Sequence, residues 1–272
     1  MFNLLKGEVY KLFRSKCLYG CSIAIVVFVL LMYAMFFYAD LARQKTTTGV
    51  VEITVESTQE DASVWAEMDV LTITSTVFSS FVKIIIAIFT AIYIFGDYVN
   101  GAIKNVVGKG YNREVVYAAK YASTAMGTII IELVTLFAIL MCEALILEAN
   151  RLTSELWSNL CTYIAIQILL GVALAGIMVM ISQICRNLGL GIAISVCIIM
   201  FSNFITLGLN VILSNLSIDI NVCDYWILDL MSDCPLADVE SSFLVRAIIC
   251  AIVWIFVALG IGGIHFRKAD VK

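Results

Sequence analysis

Six long apolar runs, separated by polar connections, leave this 272-residue chain little choice but to cross a bilayer repeatedly. They fall at about 18–38, 71–95, 122–147, 159–184, 188–213 and 243–265. Each is close to or above the ~20 residues a helix needs to traverse the hydrocarbon core. Hydrophobic residues make up 62% and charged residues 14%, where soluble domains are nearer half and a quarter. The fold class expected is an all-α polytopic membrane protein with six transmembrane helices, built as one transmembrane domain over 1–272. Its contacts are with lipid, and nothing in the composition points to nucleic acid.

The side of the membrane follows from lysine and arginine in the connections. Lys6, Lys11, Arg14, Lys16, Lys104, Lys109, Arg113, Lys120, Arg186, Arg267, Lys268 and Lys272 fall on one side, twelve of seventeen basic residues. The acids gather on the other, in the segments 39–70 and 214–242. Both termini are therefore expected to be cytoplasmic, and these two acidic segments extracytoplasmic. Residues 1–16 are expected to form an amphipathic helix rather than a signal peptide. Phe2, Leu5, Val9, Leu12 and Phe13 share one face, while Glu8, Lys11 and Arg14 take the other. Such a helix lies in the headgroup plane; the plainer alternative is a cytoplasmic extension of the first span. Val51, Ile53 and Val55 alternate with polar residues, a weak strand signal.

The longest polar stretch on the basic side is 96–121, GDYVNGAIKNVVGKGYNREVVYAAKY. Asn112 is placed to cap a helix, Glu114 suits its first turn, and Lys120 lies further along. The expected form is a two-part cytoplasmic loop ending in a short helix that runs into the third span, with an ordinary solvated loop as the alternative.

Catalytic constellations are missing from the pattern. His265 is the single histidine. No group of histidines, cysteines or acids has metal-ligand spacing, so no metal site is expected. Gly96 and Gly101 have the glycine spacing of a P-loop, but Ala102 stands where its lysine belongs. No catalytic residue is assigned, and the chain is not expected to be an enzyme or to bind ATP itself. Of nine cysteines, only Cys223 and Cys234 fall in a polar outer segment, and they are the one candidate disulfide. Lys83 and Glu132 sit near the middle of spans 2 and 3. A charge there costs roughly 2.5–3.5 kcal/mol on insertion scales and should face protein or water, so a Lys83–Glu132 pair is expected, structural or in a translocation path. Glu143, nearer the outer end, is expected to reach water. The acids Asp219 to Glu240, interleaved with Tyr225 and Trp226, read as short helices dipping into the outer leaflet. They either attract cationic cargo or serve only as a topology signal.

Three features together resemble the permease subunits of ABC type-2 exporters, the group that includes bacitracin- and lantibiotic-resistance transporters and drug or sodium exporters. GEVYKLFRSK is similar to the family's interfacial connecting helix. FGDYVNGAIKNVVGKGYNREVVYAAK is similar to its first cytoplasmic loop, with Ala102 where threonine is often found. The six-span layout also matches. The resemblance implies a permease in the bacterial plasma membrane, paired with a second permease copy, as a homodimer or a heterodimer. Two cytoplasmic ATPase subunits would carry the ATP and magnesium, and the cargo (antimicrobial peptide, drug or lipid-like) would move outward by alternating access. It further implies a coupling helix at about Asn112 to Tyr121, with Asn112, Arg113, Glu114, Tyr117 and Lys120 toward the ATPase. The rival expectation is an ion-gradient-driven transporter or channel using Lys83 and Glu132 as its relay.

Overall fold

The computed structural model describes residues 2–48, 70–102, 106, 108, 110–146, 154–185, 187–216, 221–235 and 239–268. The strand signal at Val51 to Val55, most of the first acidic segment, and Asp219 and Asp238 lie outside these residues. Among the described residues the chain is helical and has no strand.

Helix α1 (Phe2–Arg14) stands alone. Ser15 separates it from α2 (Lys16–Thr48). The Ser15 hydroxyl donates to the Leu12 carbonyl at 2.8 Å and accepts from the Leu18 amide at 3.4 Å. One side chain thus serves the end of one helix and the start of the next. The second span is built in three pieces: α3 (Val70–Val77), a π-helical turn at Phe78–Val82, and α4 (Lys83–Val99). Helix α5 (Arg113–Ile146) and helix α6 (Ser154–Cys185) follow.

Asn187 accepts from the Gly189 amide at 3.1 Å and starts α7 (Leu188–Met200). Helix α8 (Ser202–Asn215) continues it after a 57° bend. A 3-10 turn (Val222–Asp224), the short α9 (Ile227–Ser232) and α10 (Ser241–Lys268) complete the chain. Among the described residues five helices are long and apolar enough to span a membrane, and the bent α7–α8 pair makes up to six.

Helix α6 is the hub. It packs against α10, α4, α5 and α7. Bilayer lipid gives no hydrophobic drive for helix association, so close approach through small residues carries the packing. Gly176 of α6 meets Ala258 of α10 and the Tyr121 ring of α5, and Gly262 of α10 lies directly under the Tyr117 hydroxyl. Helices α2, α8 and α10 turn large apolar side chains outward, among them Leu31, Phe204 and Phe256, as hydrocarbon surroundings require.

Within 96–121, α4 continues to Val99, and α5 begins at Arg113 and runs on without a break as the third span. Gly101 and Gly110 turn the chain between them with φ of 63° and 83°, a conformation in which a Cβ is strained. One expectation changes here: in α1, Glu8 is not on a solvated face. It is buried, as is Leu12, while Phe13 is half exposed. The inward face of α1 runs through Glu8 and Leu12, because a buried counter-charge waits for Glu8 on α5.

Candidate functional site

That counter-charge is Lys120, 1% exposed. It pairs with one carboxylate oxygen of Asp97, and Lys11 pairs with the other. Glu8 completes the group at 3.6 Å from the Lys120 ammonium. Two cations and two anions from α1, α4 and α5 thus meet at one end of the bundle. Their charges cancel, which is the condition for keeping them out of water. Asp97 is itself 1% exposed. It sits in the last turn of α4, where apolar residues on both sides bring it inside the fold. Burial, and then the charge of Lys120, pull the Lys11 ammonium below the usual lysine range, while Glu8 opposes them. Nearby, Tyr93 donates to the Glu8 carbonyl and to the Ser123 hydroxyl, each at 3.3 Å.

The start of α5 adjoins this cluster. Asn112 and Glu114 are exposed, and the Asn112 side chain accepts from the Glu114 amide at 3.4 Å. Arg113 donates to the Arg267 carbonyl at 3.2 Å, and Arg267 reaches Glu114 at 3.4 Å. The end of α10 is thereby held against the start of α5. Tyr117 and Lys120 lie further along and are buried. The Tyr117 hydroxyl donates to the Ala258 carbonyl at 2.9 Å, and its ring packs beside Phe266 at a centroid distance of 6.2 Å. Of the five residues expected to face an ATPase, Asn112, Arg113 and Glu114 lie at the open end of the helix. Tyr117 and Lys120 are corrected to buried positions that fix α5 to its neighbours. Position along the helix, and not its face, makes the split: 113, 117 and 120 share one stripe, and that stripe becomes buried one turn into α5.

Lys83 and Glu132 do not pair. The Lys83 ammonium donates to the Leu228 carbonyl at 2.7 Å and the Ser232 hydroxyl at 2.6 Å. Leu228 is the second residue of α9 and Ser232 its last, and the Leu228 carbonyl also accepts from the Ser232 hydroxyl at 3.0 Å. Glu132 is fully buried, and neither carboxyl oxygen has a hydrogen-bond partner. Its carboxyl lies against Gly171 of α6, in the place a Cβ would occupy. Glu143 does not reach water; it is 8% exposed and accepts from Tyr33 of α2 at 2.8 Å. Cys223 and Cys234 are free thiols. Cys223 accepts from Asn210 at 3.2 Å, whereas Cys234 is 6% exposed within the apolar core.

Sequence reasoning missed Asp97 and Glu8 as partners of Lys120, and Lys11 as the second cation on Asp97. The available signal was an acid placed at the end of an apolar run, with a lysine on the apolar stripe Val116, Tyr117, Lys120, Tyr121 and Thr124. Among the described residues no group of three or more metal-ligand side chains forms.

No curated protein matches the chain. The family model described as ABC-2 family transporter protein matches residues 4–203. That interval holds all four members of the charge cluster and stops at the start of α8. Members of this family are membrane transport components that generally work with a cytoplasmic ATPase subunit. With well over half of its length matched, the chain belongs to the ABC-2 transporter family.

Proposed function

We propose that this chain is the membrane-spanning permease subunit of an ATP-driven exporter and that the α1 end of its bundle faces the cytoplasm and an ATPase. One observation carries the reading most: the buried Glu8, Asp97 and Lys120, with the part-exposed Lys11, join the interfacial helix α1 to two spans. Asn112, Arg113 and Glu114 lie at the open end of one of those spans. A push on that end moves α5, and through the cluster α1 and α4, as one body. Packed helices transmit such displacements with little loss because interiors are dense and stiff.

In this reading two ATPase subunits bind ATP and magnesium, and the chain itself binds neither. Two permease copies in the plasma membrane enclose the path, as a homodimer or a heterodimer. Cargo, a peptide antibiotic, drug or lipid-like molecule, leaves outward by alternating access. The test is an Arg113→Glu/Glu114→Lys double variant coexpressed with an ABC ATPase subunit that copurifies with the parent chain. Loss of ATPase copurification with an unchanged melting temperature is expected. Retained copurification in the variant would overturn Arg113 and Glu114 as the docking contact, and transport by the parent chain with no ATPase present would overturn the exporter reading.

A further inference from the structure

The second span carries one polar anchor near its cluster end and another near its middle, and the second has no part in the cluster described above. Asp97 lies one turn from the end of α4, and Lys83 is its first residue. The two are separated by about 21 Å of helix at 1.5 Å per residue. Where Asp97 holds α1 and α5, Lys83 holds α9.

Helix α9 has only six residues, yet Ile227, Leu228, Asp229, Leu230 and Met231 are all buried. It packs on α6, on α8, on α10 and on the π turn that precedes Lys83, so it fills the end of the bundle opposite the cluster. Beside this apolar packing its polar attachments are few. Lys83 of α4 takes the Leu228 carbonyl and the Ser232 hydroxyl. Gln167 of α6 donates to the Met231 carbonyl at 2.9 Å. Ser202, at the bend between α7 and α8, accepts from the Trp226 indole at 2.8 Å and donates to Asp229 at 3.4 Å. Three spans therefore close on one short helix, and each does so through a side chain that a small shift disengages.

The Lys83 contact differs from the others in two ways. It brings a full charge to the Leu228 carbonyl and the Ser232 hydroxyl, and a charge-assisted bond is the strongest of the tethers. It also follows a π-helical turn at Phe78–Val82. A π turn interrupts the regular hydrogen-bond ladder and often marks a functional position. On α4 that turn separates the part fixed to the cluster from α3.

We propose that Lys83 is the latch of an outer gate, that α9 is the plug it holds in place, and that movement of α4 at the Asp97 end withdraws Lys83 from α9 to open the path. This rests on the transport reading for the direction of the pull, but the latch itself is testable without it. Lys83 is a positioning residue here and touches no cargo.

Cys234, two residues beyond α9, is a built-in reporter. It is buried while α9 is seated, and burial pushes its thiol up to about 12, where little reactive thiolate is present near neutral pH. The experiment is peptide-resolved N-ethylmaleimide labelling of the purified full chain in detergent, with no ATPase and no nucleotide. Lys83→Met is expected to label Cys234 at least about tenfold faster than the parent chain, since labelling follows the population of the open form. Cys142, buried on α5, is expected to keep its parent rate. Ser232→Ala, which removes one acceptor and leaves the lysine, is expected to accelerate Cys234 to a smaller degree. It stands in for Lys83→Met if that variant does not fold. Parent-like labelling of Cys234 in a folded Lys83→Met chain overturns the latch, and so does equal acceleration of Cys142, which means general loosening. Transport by the parent chain with no ATPase present, in contrast, sinks the exporter reading and leaves this result standing.

Discussion

Lys120 and Asp97, twenty-three residues apart in sequence, close on each other with both side chains only 2% exposed. The contact joins the end of one span to the start of the next across the loop expected to meet an ATPase. Lys11 holds the other oxygen of the same carboxylate, so Asp97 is shared between two cations. Removing the acid leaves the buried Lys120 ammonium with Glu8 alone, 3.6 Å away, and with the part-exposed Lys11 beside it.

Asp97→Asn is therefore expected to destabilise the purified protein by about 3–5 kcal/mol, the usual cost of stranding a buried charge. Denaturant or thermal unfolding in detergent measures it. Adding Lys120→Met to Asp97→Asn is expected to recover part of the loss, because the stranded charge goes with the lysine. A loss below about 0.5 kcal/mol for Asp97→Asn, the range of ordinary surface changes, would mean that the cluster does not hold these helices together.

Glu114 offers the opposite case. Its pair with Arg267 is 3.4 Å long, with side chains 52% and 74% exposed. Exposed pairs of this kind contribute roughly 0–1 kcal/mol. Glu114→Gln is expected to leave the melting temperature within about 1 °C of the parent, consistent with that range. ATPase association, measured by copurification, is expected to fall in the same variant. If stability drops and association holds, Glu114 is part of the fold and not of the docking surface.

The helices were legible because apolar runs of membrane-crossing length admit few other structures. The start of α5 was legible because Asn112 and Glu114 carry standard cap chemistry. What the sequence did not disclose was which way polar residues turn once helices pack. Lys120 looked like part of a polar face, and only the position of α1 reveals that a carboxylate pair waits inside. Lys83 and Glu132 stood at matching depths in adjacent spans, which made a pair the natural expectation. Their separation depends on α9, a helix too short to show periodicity, which folds back into the bundle and offers Lys83 the Leu228 carbonyl and the Ser232 hydroxyl. Depth along a span can be read from a sequence; rotation about its axis, and the return of a distant segment, come from packing.

Gly171 and Glu132 give a steric prediction. A Cβ at Gly171 would occupy the place of the Glu132 carboxyl. Gly171→Ala is expected to destabilise the bundle by about 1–3 kcal/mol, as overpacking does, despite the higher helix propensity of alanine. Glu132→Ala in the same chain removes the obstructing carboxyl and is expected to restore most of that stability. Unfolding midpoints of the two single variants and the double variant form the cycle that checks it. If Gly171→Ala alone is neutral, the carboxyl has room to move and the contact is loose.

Cys234 supplies the pH dependence. Burial raises its thiol from 9.0 to about 12. In the unfolded chain the thiol returns to its ordinary range and releases its proton first. The folded protein thus binds more protons than the unfolded one between these values, and stability falls as pH rises there. The contribution is fully present below pH 9 and is lost progressively toward pH 12. Between pH 8 and pH 10 the parent chain is expected to lose melting temperature more steeply than Cys234→Ala, whose position cannot titrate. Comparing the two slopes, and not the absolute midpoints, cancels the titration of tyrosines and lysines elsewhere. Parallel slopes would show that the thiol keeps its ordinary value and that α9 does not exclude water from it.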